Sequence, residues 1–166
     1  MRRKLAVFAI AAAASLAGDL SADRGAALFA KFKSLAGEWN AASTQGWEGT
    51  MKFEVIASGS AVLHVSHMAA HDSEAMATLF HRDGPAVVMT HYCVAGNQPH
   101  LKATDFDGRE AAFDFVRATN LRTPEAGHMH RVRYQFLDAD HFESQWTWRQ
   151  NGKEQWLETI QYSRKK

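Results

Sequence analysis

This sequence has little cysteine, almost no net charge and few long apolar runs. Each of these features excludes a class of protein. The chain of 166 residues has one cysteine, Cys93. A single cysteine cannot form an intramolecular disulfide framework or a metal site made of several cysteines. The 19 basic and 18 acidic side chains nearly cancel, so they give no reason to expect nucleic-acid binding. No repeat, low-complexity tract or linker divides the chain, which favours one domain.

The N-terminal apolar stretch is too short to span a membrane. It covers residues 5–16, follows the basic run of residues 1–4, and is the only such stretch. Ser15-Leu16-Ala17 then supplies small residues of the kind that signal peptidase recognises. We predict a signal peptide at 1–17, with cleavage after Ala22 as a second option, and an exported protein, periplasmic or secreted. A buried N-terminal helix is the alternative interpretation.

Hydrophobic residues make up 46% of the chain, and their spacing indicates an all-β protein after one short helix. The helix is predicted at 23–35. The pattern then changes to a period of two, with strong hairpin turns at Asp83-Gly84 and Asp107-Gly108. Counting a short strand at Trp39, we predict about ten strands, forming a single antiparallel up-and-down β-barrel over residues 23–163. The other strands are expected at 51–57, 62–65, 75–81, 86–94, 101–106, 111–118, 128–137, 141–149 and 154–162.

The turn between the strands 75–81 and 86–94 decides the neighbours of His91. A two-residue loop at Asp83-Gly84 would place His91 opposite Met76, although Pro85 allows a shift of register. In any register, His91 and Cys93 are two residues apart and should point to the same side of the sheet. That side could be the barrel interior.

Aromatic side chains repeat on one face of the last strands, and this face should point inward. In 128–137 the face carries His128, His130, Val132, Tyr134 and Phe136. In 141–149 the corresponding face carries Phe142, Ser144, Trp146 and Trp148. A barrel of eight or more strands can enclose a small ligand, and this mixture of apolar and polar groups is typical of ligand sites. The alternative is that the aromatic rings only fill the core.

Two short motifs resemble those of known barrels. Leu35-Ala36-Gly37-Glu38-Trp39 resembles the Leu-x-Gly-x-Trp start of lipocalin-like and nitrobindin-like barrels. Thr90-His91-Tyr92-Cys93, followed by Gly96-Asn97-Gln98-Pro99, is similar to a segment of uncharacterised exported bacterial proteins of lipocalin-like type. The resemblance covers residues 35–163. It implies a calycin-like barrel and a small hydrophobic ligand, but no reaction.

We therefore predict a barrel that carries a small hydrophobic or amphipathic molecule in its interior, without a catalytic role. Aromatic side chains would supply apolar contact, and polar ones near the 96–99 turn would line or close one end of the barrel. Asn97 and Gln98 could equally do no more than satisfy backbone groups of the turn. The predicted ligand-binding residues are His91, Tyr92, Asn97, Gln98, Phe113, Tyr134, Trp146 and Trp148.

Two other kinds of chemistry remain open at this point. A thiol enzyme would use Cys93 as nucleophile with His91 as base, but no acid that would orient the base can be identified. A metal site could combine His128 and His130 with His91 or His64. Nitrobindin-like barrels bind haem through a histidine, so the resemblance allows a haem, although no residue of this chain can be assigned as its ligand. The alternative without such chemistry is that the histidines are dispersed polar residues of the surface and the core. We predict no cofactor and no metal ligand.

Overall fold

The structure, a computed structural model, describes residues 20–69 and 75–166. The predicted signal peptide at 1–17 lies outside the described residues. The described chain forms one α-helix and ten strands, with a short turn of 3-10 helix at Ala57–Gly59. The elements are α1 (Ala22–Ser34), β1 (Gly37–Ser43), β2 (Glu48–Ile56), β3 (Ala61–Met68), β4 (Ala75–Asp83), β5 (Ala86–Tyr92), β6 (Gln98–Phe106), β7 (Glu110–Thr119), β8 (His128–Phe136), β9 (His141–Gln150) and β10 (Lys153–Arg164).

The ten strands form one closed antiparallel barrel. Each strand pairs with the next along the chain, and β1 pairs with β10 to close the circle. The all-β, up-and-down, ten-stranded prediction is therefore confirmed. The closing pair runs from Trp39 opposite Arg164 to Ser43 opposite Ile160. Closure leaves no unpaired strand edge among the described strands.

The helix α1 closes one end of the barrel. The prediction of a helix at 23–35 is confirmed to within one residue, and the Ser21 hydroxyl caps its first turn by accepting a hydrogen bond from the Arg24 backbone N–H. Its apolar face buries Leu28, Phe29 and Phe32. With 13 residues, α1 is short, and among the described residues no helix has the length and apolar character needed to cross a membrane.

Phe32 is the centre of an aromatic cluster inside this end of the barrel. Its ring stacks on Phe80 at 4.2 Å and meets Tyr134 edge-on at 5.2 Å, measured between centroids. Phe113 and Phe136 each lie 5.8 Å from it. These residues come from β4, β7 and β8, so one helical side chain fills the space between three strands. Such ring pairs stabilise a core beyond the area that they bury.

Trp39 and Arg164 join the helix to the closing strand pair. Trp39 is 0% exposed, and its indole N–H donates to the Leu35 carbonyl at 2.8 Å. The Arg164 guanidinium lies 4.2 Å from the centre of the Trp39 ring, and it donates to the carbonyls of Ser34 and Ala36. The positive charge of Arg164 at these carbonyls also interacts favourably with the negative end of the helix dipole. One arginine of β10 thus fixes β1 and the end of α1 together.

The turn between β4 and β5 differs from the expected one. Asp83 pairs with Ala86, so the two loop residues are Gly84 and Pro85 rather than Asp83 and Gly84. Gly84 adopts a positive φ of 56°, which glycine tolerates, and Pro85 has no backbone N–H to lose in a turn. The shift places His91 opposite Thr78 instead of Met76.

The inward face of β8 also differs from the expected one, because the strand contains a β-bulge. The pairing with β9 shifts between Met129 and Arg131, so that Met129 lies opposite Trp148. Met129 then faces inward together with Val132, and the expectation that His130 lines the interior was wrong. A bulge adds one residue to a strand and reverses the alternation beyond it, which simple period-two counting cannot show.

We expect Gly25→Ala to destabilise the protein, although alanine is the better helix former. A Cβ atom at position 25 would lie 1.7 Å from the carbonyl oxygen of Pro85, so α1 would have to move away from the β4–β5 turn. The expected loss is about 1–3 kcal/mol in the free energy of unfolding. An unobstructed helix would instead gain up to about 1 kcal/mol from the same change. Urea unfolding followed by circular dichroism measures the difference.

The exposed neighbour Ala26 provides a control for this prediction. Ala26→Gly should lower stability by about 1 kcal/mol through helix propensity alone. A gain in stability for Gly25→Ala would show that α1 does not pack against Pro85 as described.

Candidate functional site in the barrel interior

A small chamber lies in the half of the barrel that is farther from α1. Its free volume is about 30 Å³, which is room for a few atoms only. Strands β2–β5 and β8–β10 contribute its walls. The lining residues are Met51, His64, Ser66, Met68, Met76, Thr78, His91, Met129, Trp146, Glu158, Ile160 and Tyr162.

Two buried histidines lie in one row across four neighbouring strands. Phe53 is opposite His64, His64 is opposite Thr78, and Thr78 is opposite His91. The His64 ring stacks flat on Phe53, with 4.3 Å between centroids and 4° between planes. The Thr78 hydroxyl hydrogen bonds with Nδ1 of His91 at 2.9 Å. The Trp146 ring, 5.2 Å from that of His91, completes this side of the chamber.

Three imidazole nitrogens in this row have no hydrogen-bond partner in the described structure. They are both ring nitrogens of His64 and Nε2 of His91. Burial lowers the pKa of His64 to about 3, with a further contribution from His91, and burial lowers that of His91 to about 4. Both rings are therefore neutral near pH 7. Unsatisfied polar groups in a core are uncommon, and here they lie beside an internal space.

A wider vestibule lies next to the chamber. It has a volume of about 380 Å³, and the four residues that it shares with the chamber are Met68, Met76, Met129 and Glu158. We call the three shared methionines, Met68, Met76 and Met129, the methionine layer. The other lining residues of the vestibule are Cys93, Val94, Ala95, Trp148 and Leu157. Only side chains of the methionine layer and Glu158 thus border both spaces, and methionine is the most adaptable apolar side chain.

A larger groove of about 820 Å³ lies against β1, β2, β9 and β10. None of its lining residues carries an unpartnered buried polar atom in the described structure. The interior site is therefore the better candidate, because it combines enclosed space with polar groups that lack a partner.

The structure brings together three of the predicted site residues. His91 and Trp146 line the chamber, and Trp148 lines the vestibule. Tyr92 lies apart from them, because it alternates with His91 along β5 and is 50% exposed. Its side chain borders neither the chamber nor the vestibule.

Phe113 and Tyr134 are fully buried near Phe32, at the end of the barrel that α1 closes. Neither lines the chamber or the vestibule. Burial raises the pKa of Tyr134 well above its ordinary value, with a smaller contribution from Tyr162, and its hydroxyl has no hydrogen-bond partner in the described structure. These two residues form part of the core that supports the site.

Asn97 and Gln98 hold the turn between β5 and β6 against its neighbours. The Asn97 side-chain amide donates to the Gly127 carbonyl at 2.9 Å. The side-chain oxygen Oε1 of Gln98 accepts from the Thr119 hydroxyl at 2.8 Å, and its side-chain Nε2 donates to the Gly96 carbonyl. Two of these three contacts are to loop carbonyls, as in the turn alternative, whereas Oδ1 of Asn97 is buried without a hydrogen-bond partner in the described structure.

Sequence reasoning missed Thr78 and the methionines as site residues, and it considered His64 only as a metal ligand. The available signal was the period-two alternation, which puts His64, Ser66 and Met68 of β3 on one face. Assigning that face to the chamber required the register of β3, β4 and β5, and the Gly84-Pro85 turn sets part of it.

Cys93 lies at the vestibule, and its surroundings do not activate the thiol. Burial raises its pKa, and a hydrogen bond from the Ala95 backbone opposes this effect only in part. A raised pKa keeps the sulfur in the protonated form, which is the weaker nucleophile. Cys93 borders the vestibule and His91 the chamber, and no hydrogen bond between their side chains occurs in the described structure.

The three-histidine metal site that we considered from the sequence is not formed. His128 and His130 lie on either side of the inward-facing Met129; they hydrogen bond to each other, and His130 contacts Arg149. Within residues 20–69 and 75–166, no three His, Cys, Asp or Glu side chains form a group that could hold a metal ion.

A haem does not fit the chamber. The free volume of about 30 Å³ is far below the roughly 300–1,000 Å³ of pockets that enclose drug-sized molecules. A porphyrin at His64 or His91 would have to displace the methionine layer. The residues present therefore do not match this cofactor as they are packed.

Comparison with known proteins supports the fold and adds no activity. No family model matches the chain, and no curated protein matches it. A solved structure of a protein of unknown function from the DUF3598 family of Nostoc punctiforme is similar, with a TM-score of 0.51 over 81% of this chain and 12% sequence identity. The chain spans 49% of that protein, about half its length. At this identity the similarity shows the barrel fold alone.

We expect acid to destabilise the protein between about pH 6.5 and pH 4. Unfolded histidines take up protons below their ordinary pKa of 6.5, whereas folded His64 and His91 stay neutral down to about 3 and about 4. The unfolded state therefore binds more protons in this range. The free energy of unfolding should fall by up to about 1.4 kcal/mol per pH unit for each histidine. Urea titrations at a series of pH values measure this slope.

His64→Gln and His91→Gln should each flatten the slope, whereas His67→Gln, at an exposed position of the same strand as His64, should leave it unchanged. Burial lowers the pKa of His100 and His130, and backbone hydrogen bonds lower the pKa of Asp107 and Asp138, so these groups add to the total slope in the unmodified protein and in the variants alike. An equal effect of all three histidine variants would contradict the prediction.

Proposed function

We propose that this protein is a lipocalin-like carrier that binds a small apolar or amphipathic molecule at the end of the barrel opposite α1. The observation that carries the proposal is the vestibule of about 380 Å³, lined mainly by apolar side chains, beside the polar chamber. Its volume lies within the range of pockets that hold small molecules. The binding residues would include Trp148 and Leu157 of the vestibule wall.

The apolar part of a ligand would be bound by burial of its surface against the vestibule and the methionine layer. Methionine side chains have three rotatable bonds, so they can move to fit ligands of different shape. A polar group at one end of the ligand could reach the hydroxyls of Ser66 and Thr78 or the free Nε2 of His91. This arrangement favours an amphipathic ligand that enters with its polar group first.

Leu157→Asp should weaken the binding of an apolar, anionic probe, because a carboxylate in the vestibule would lose water when the probe binds and would repel the probe's sulfonate group. The probe is 1-anilinonaphthalene-8-sulfonate, and its fluorescence is titrated against the folded protein. We expect the dissociation constant to rise about tenfold or more. Native mass spectrometry of the untreated protein should also show a retained organic molecule.

Val116→Asp is the matched control, since Val116 is 53% exposed and lines neither space. It introduces the same charge and should leave binding unchanged. Equal weakening by both variants would show that the probe binds elsewhere or responds only to net charge. Absence of binding to the unmodified protein would refute the carrier function.

We also propose that the protein is exported and that its signal peptide is cleaved after Ala17. The order of basic run, apolar stretch and small residues supports this assignment. The packing of the first described residues favours Ala17 over Ala22, because Leu20 is buried and the Ser21 hydroxyl caps α1. Cleavage after Ala22 would remove both contributions.

Expression of the full chain in a bacterial host, followed by fractionation and intact-mass measurement, tests this assignment. We expect a periplasmic or secreted protein that begins at Gly18. A cytoplasmic protein that retains residues 1–17 would refute export. A mature chain that begins at Asp23 would show that the fold does not need Leu20 and Ser21.

A further inference from the structure

We propose that the inner chamber is a binding site for a soft monovalent metal ion, copper(I), held by imidazole nitrogens of His64 and His91 and thioether sulfurs of the methionine layer. This function is additional to the binding of an organic molecule in the vestibule. It rests on the donor atoms that the chamber brings together, on their lack of partners and on the size of the space.

The donor set of the chamber selects the class of metal. Four methionines and two histidines line it: Met51, Met68, Met76, Met129, His64 and His91. Thioether sulfur and neutral imidazole are soft or intermediate ligands, which suit copper(I), whereas magnesium and calcium require several oxygen ligands. The one acidic side chain of the lining is Glu158. The set therefore fits a soft cation better than a hard one.

His91 is oriented as a metal-binding histidine would be. Its Nδ1 hydrogen bonds with the Thr78 hydroxyl at 2.9 Å, and its Nε2 is buried without a partner in the described structure. When Nδ1 carries the proton and donates to Thr78, the lone pair of Nε2 is free to bind a metal. Histidine ligands of metals are commonly held in this way through their other ring nitrogen.

His64 is fixed by different contacts. Its ring stacks on Phe53, and neither ring nitrogen has a hydrogen-bond partner in the described structure. In the neutral ring one nitrogen is an acceptor, so one lone pair remains unsatisfied in the core. Because His64 and His91 both lie opposite Thr78, they flank one point of the chamber wall. A metal ion there would take up the free lone pair of each ring.

The size of the chamber fits an ion better than an organic molecule. A volume of about 30 Å³ can hold one or two atoms the size of water. Glu158 borders both the chamber and the vestibule, and its carboxyl group accepts a hydrogen bond from the Ser43 hydroxyl. A negative charge there would offset the positive charge of a buried ion, which an apolar chamber could not do. An ion that enters through the vestibule would pass Cys93 and the methionine layer, whose sulfur atoms are possible ligands on this path.

Competition for copper(I) under anaerobic conditions tests the proposal. The full mature protein is titrated against the copper(I) chelator bathocuproine disulfonate, and the chelator's absorbance reports the metal that it retains. We expect one copper(I) ion per chain. The X-ray absorption spectrum should show both sulfur and nitrogen ligands. No transfer of copper to the protein would overturn the proposal.

Variants that remove only the donor atom identify the ligands. Met68→Leu and Met76→Leu keep the apolar volume and the fold, so a loss of copper(I) affinity of about 10- to 100-fold would come from the missing sulfur. Met89→Leu is the matched control, because Met89 is fully buried but does not line the chamber or the vestibule. Equal loss in this control would overturn the proposal.

His91→Gln should lower the affinity in the same way, and His67→Gln should not. Cys93→Ser should have a much smaller effect than the loss of His91. If Cys93→Ser alone abolished binding, the metal would be held by the thiol in the vestibule, and the chamber site would be refuted. Circular dichroism of each variant shows whether it is folded.

The proposed carrier function and the proposed metal site can be refuted independently of each other. Leucine is as apolar as methionine, so Met68→Leu and Met76→Leu should keep the binding of 1-anilinonaphthalene-8-sulfonate while they lose copper(I). Copper(I) binding without probe binding would refute only the carrier function. Probe binding without copper(I) binding would refute only the metal site.

Discussion

The structure depends on one constraint, the volume that ten strands enclose. The interior of a barrel of about eight strands is filled by side chains or holds one small ligand, and a barrel of ten strands encloses more space. Here α1 closes one end, and Phe32 fills the interior there between Phe80, Phe113 and Tyr134. No helix of the described residues enters the other half. Its remaining space becomes the chamber and the vestibule, so the position of α1 decides which half of the barrel contains the internal space.

Much of the fold could be predicted because its signals are local. A strand shows its period of two within a few residues, and most turns contain glycine where the chain needs a positive φ, as at Gly84 and Gly108. The consecutive hairpins then leave an up-and-down arrangement as the simplest topology. The helix was visible for the same reason, since Leu28, Phe29 and Phe32 recur at helical spacing.

The candidate site could be predicted only in part, because it depends on which residues face each other across strands. His91 and Trp146 were identified by their alternation, but the pairing of Thr78 with His91 follows from the Gly84-Pro85 turn. The pairing of His64 with Thr78 follows from the register of β3 against β4. The β-bulge at His130 likewise replaced an expected inward histidine by Met129. At both places the chain could adopt one of two similar local geometries, and packing elsewhere in the barrel determines which one forms. Composition and residue spacing therefore do not reveal the outcome.

Closure of the barrel by β1 and β10 has a consequence for the order of folding. Nine of the ten described strand pairings join consecutive strands, so they close short stretches of chain and can form early. The tenth joins Ser43 to Ile160 and must close almost the whole chain, at the largest entropic cost of all the pairings. Arg164, which holds Trp39 and the last carbonyls of α1, acts only after this event. This seam is therefore the pairing that depends most on the strands already paired, and the contacts of Arg164 oppose its reopening.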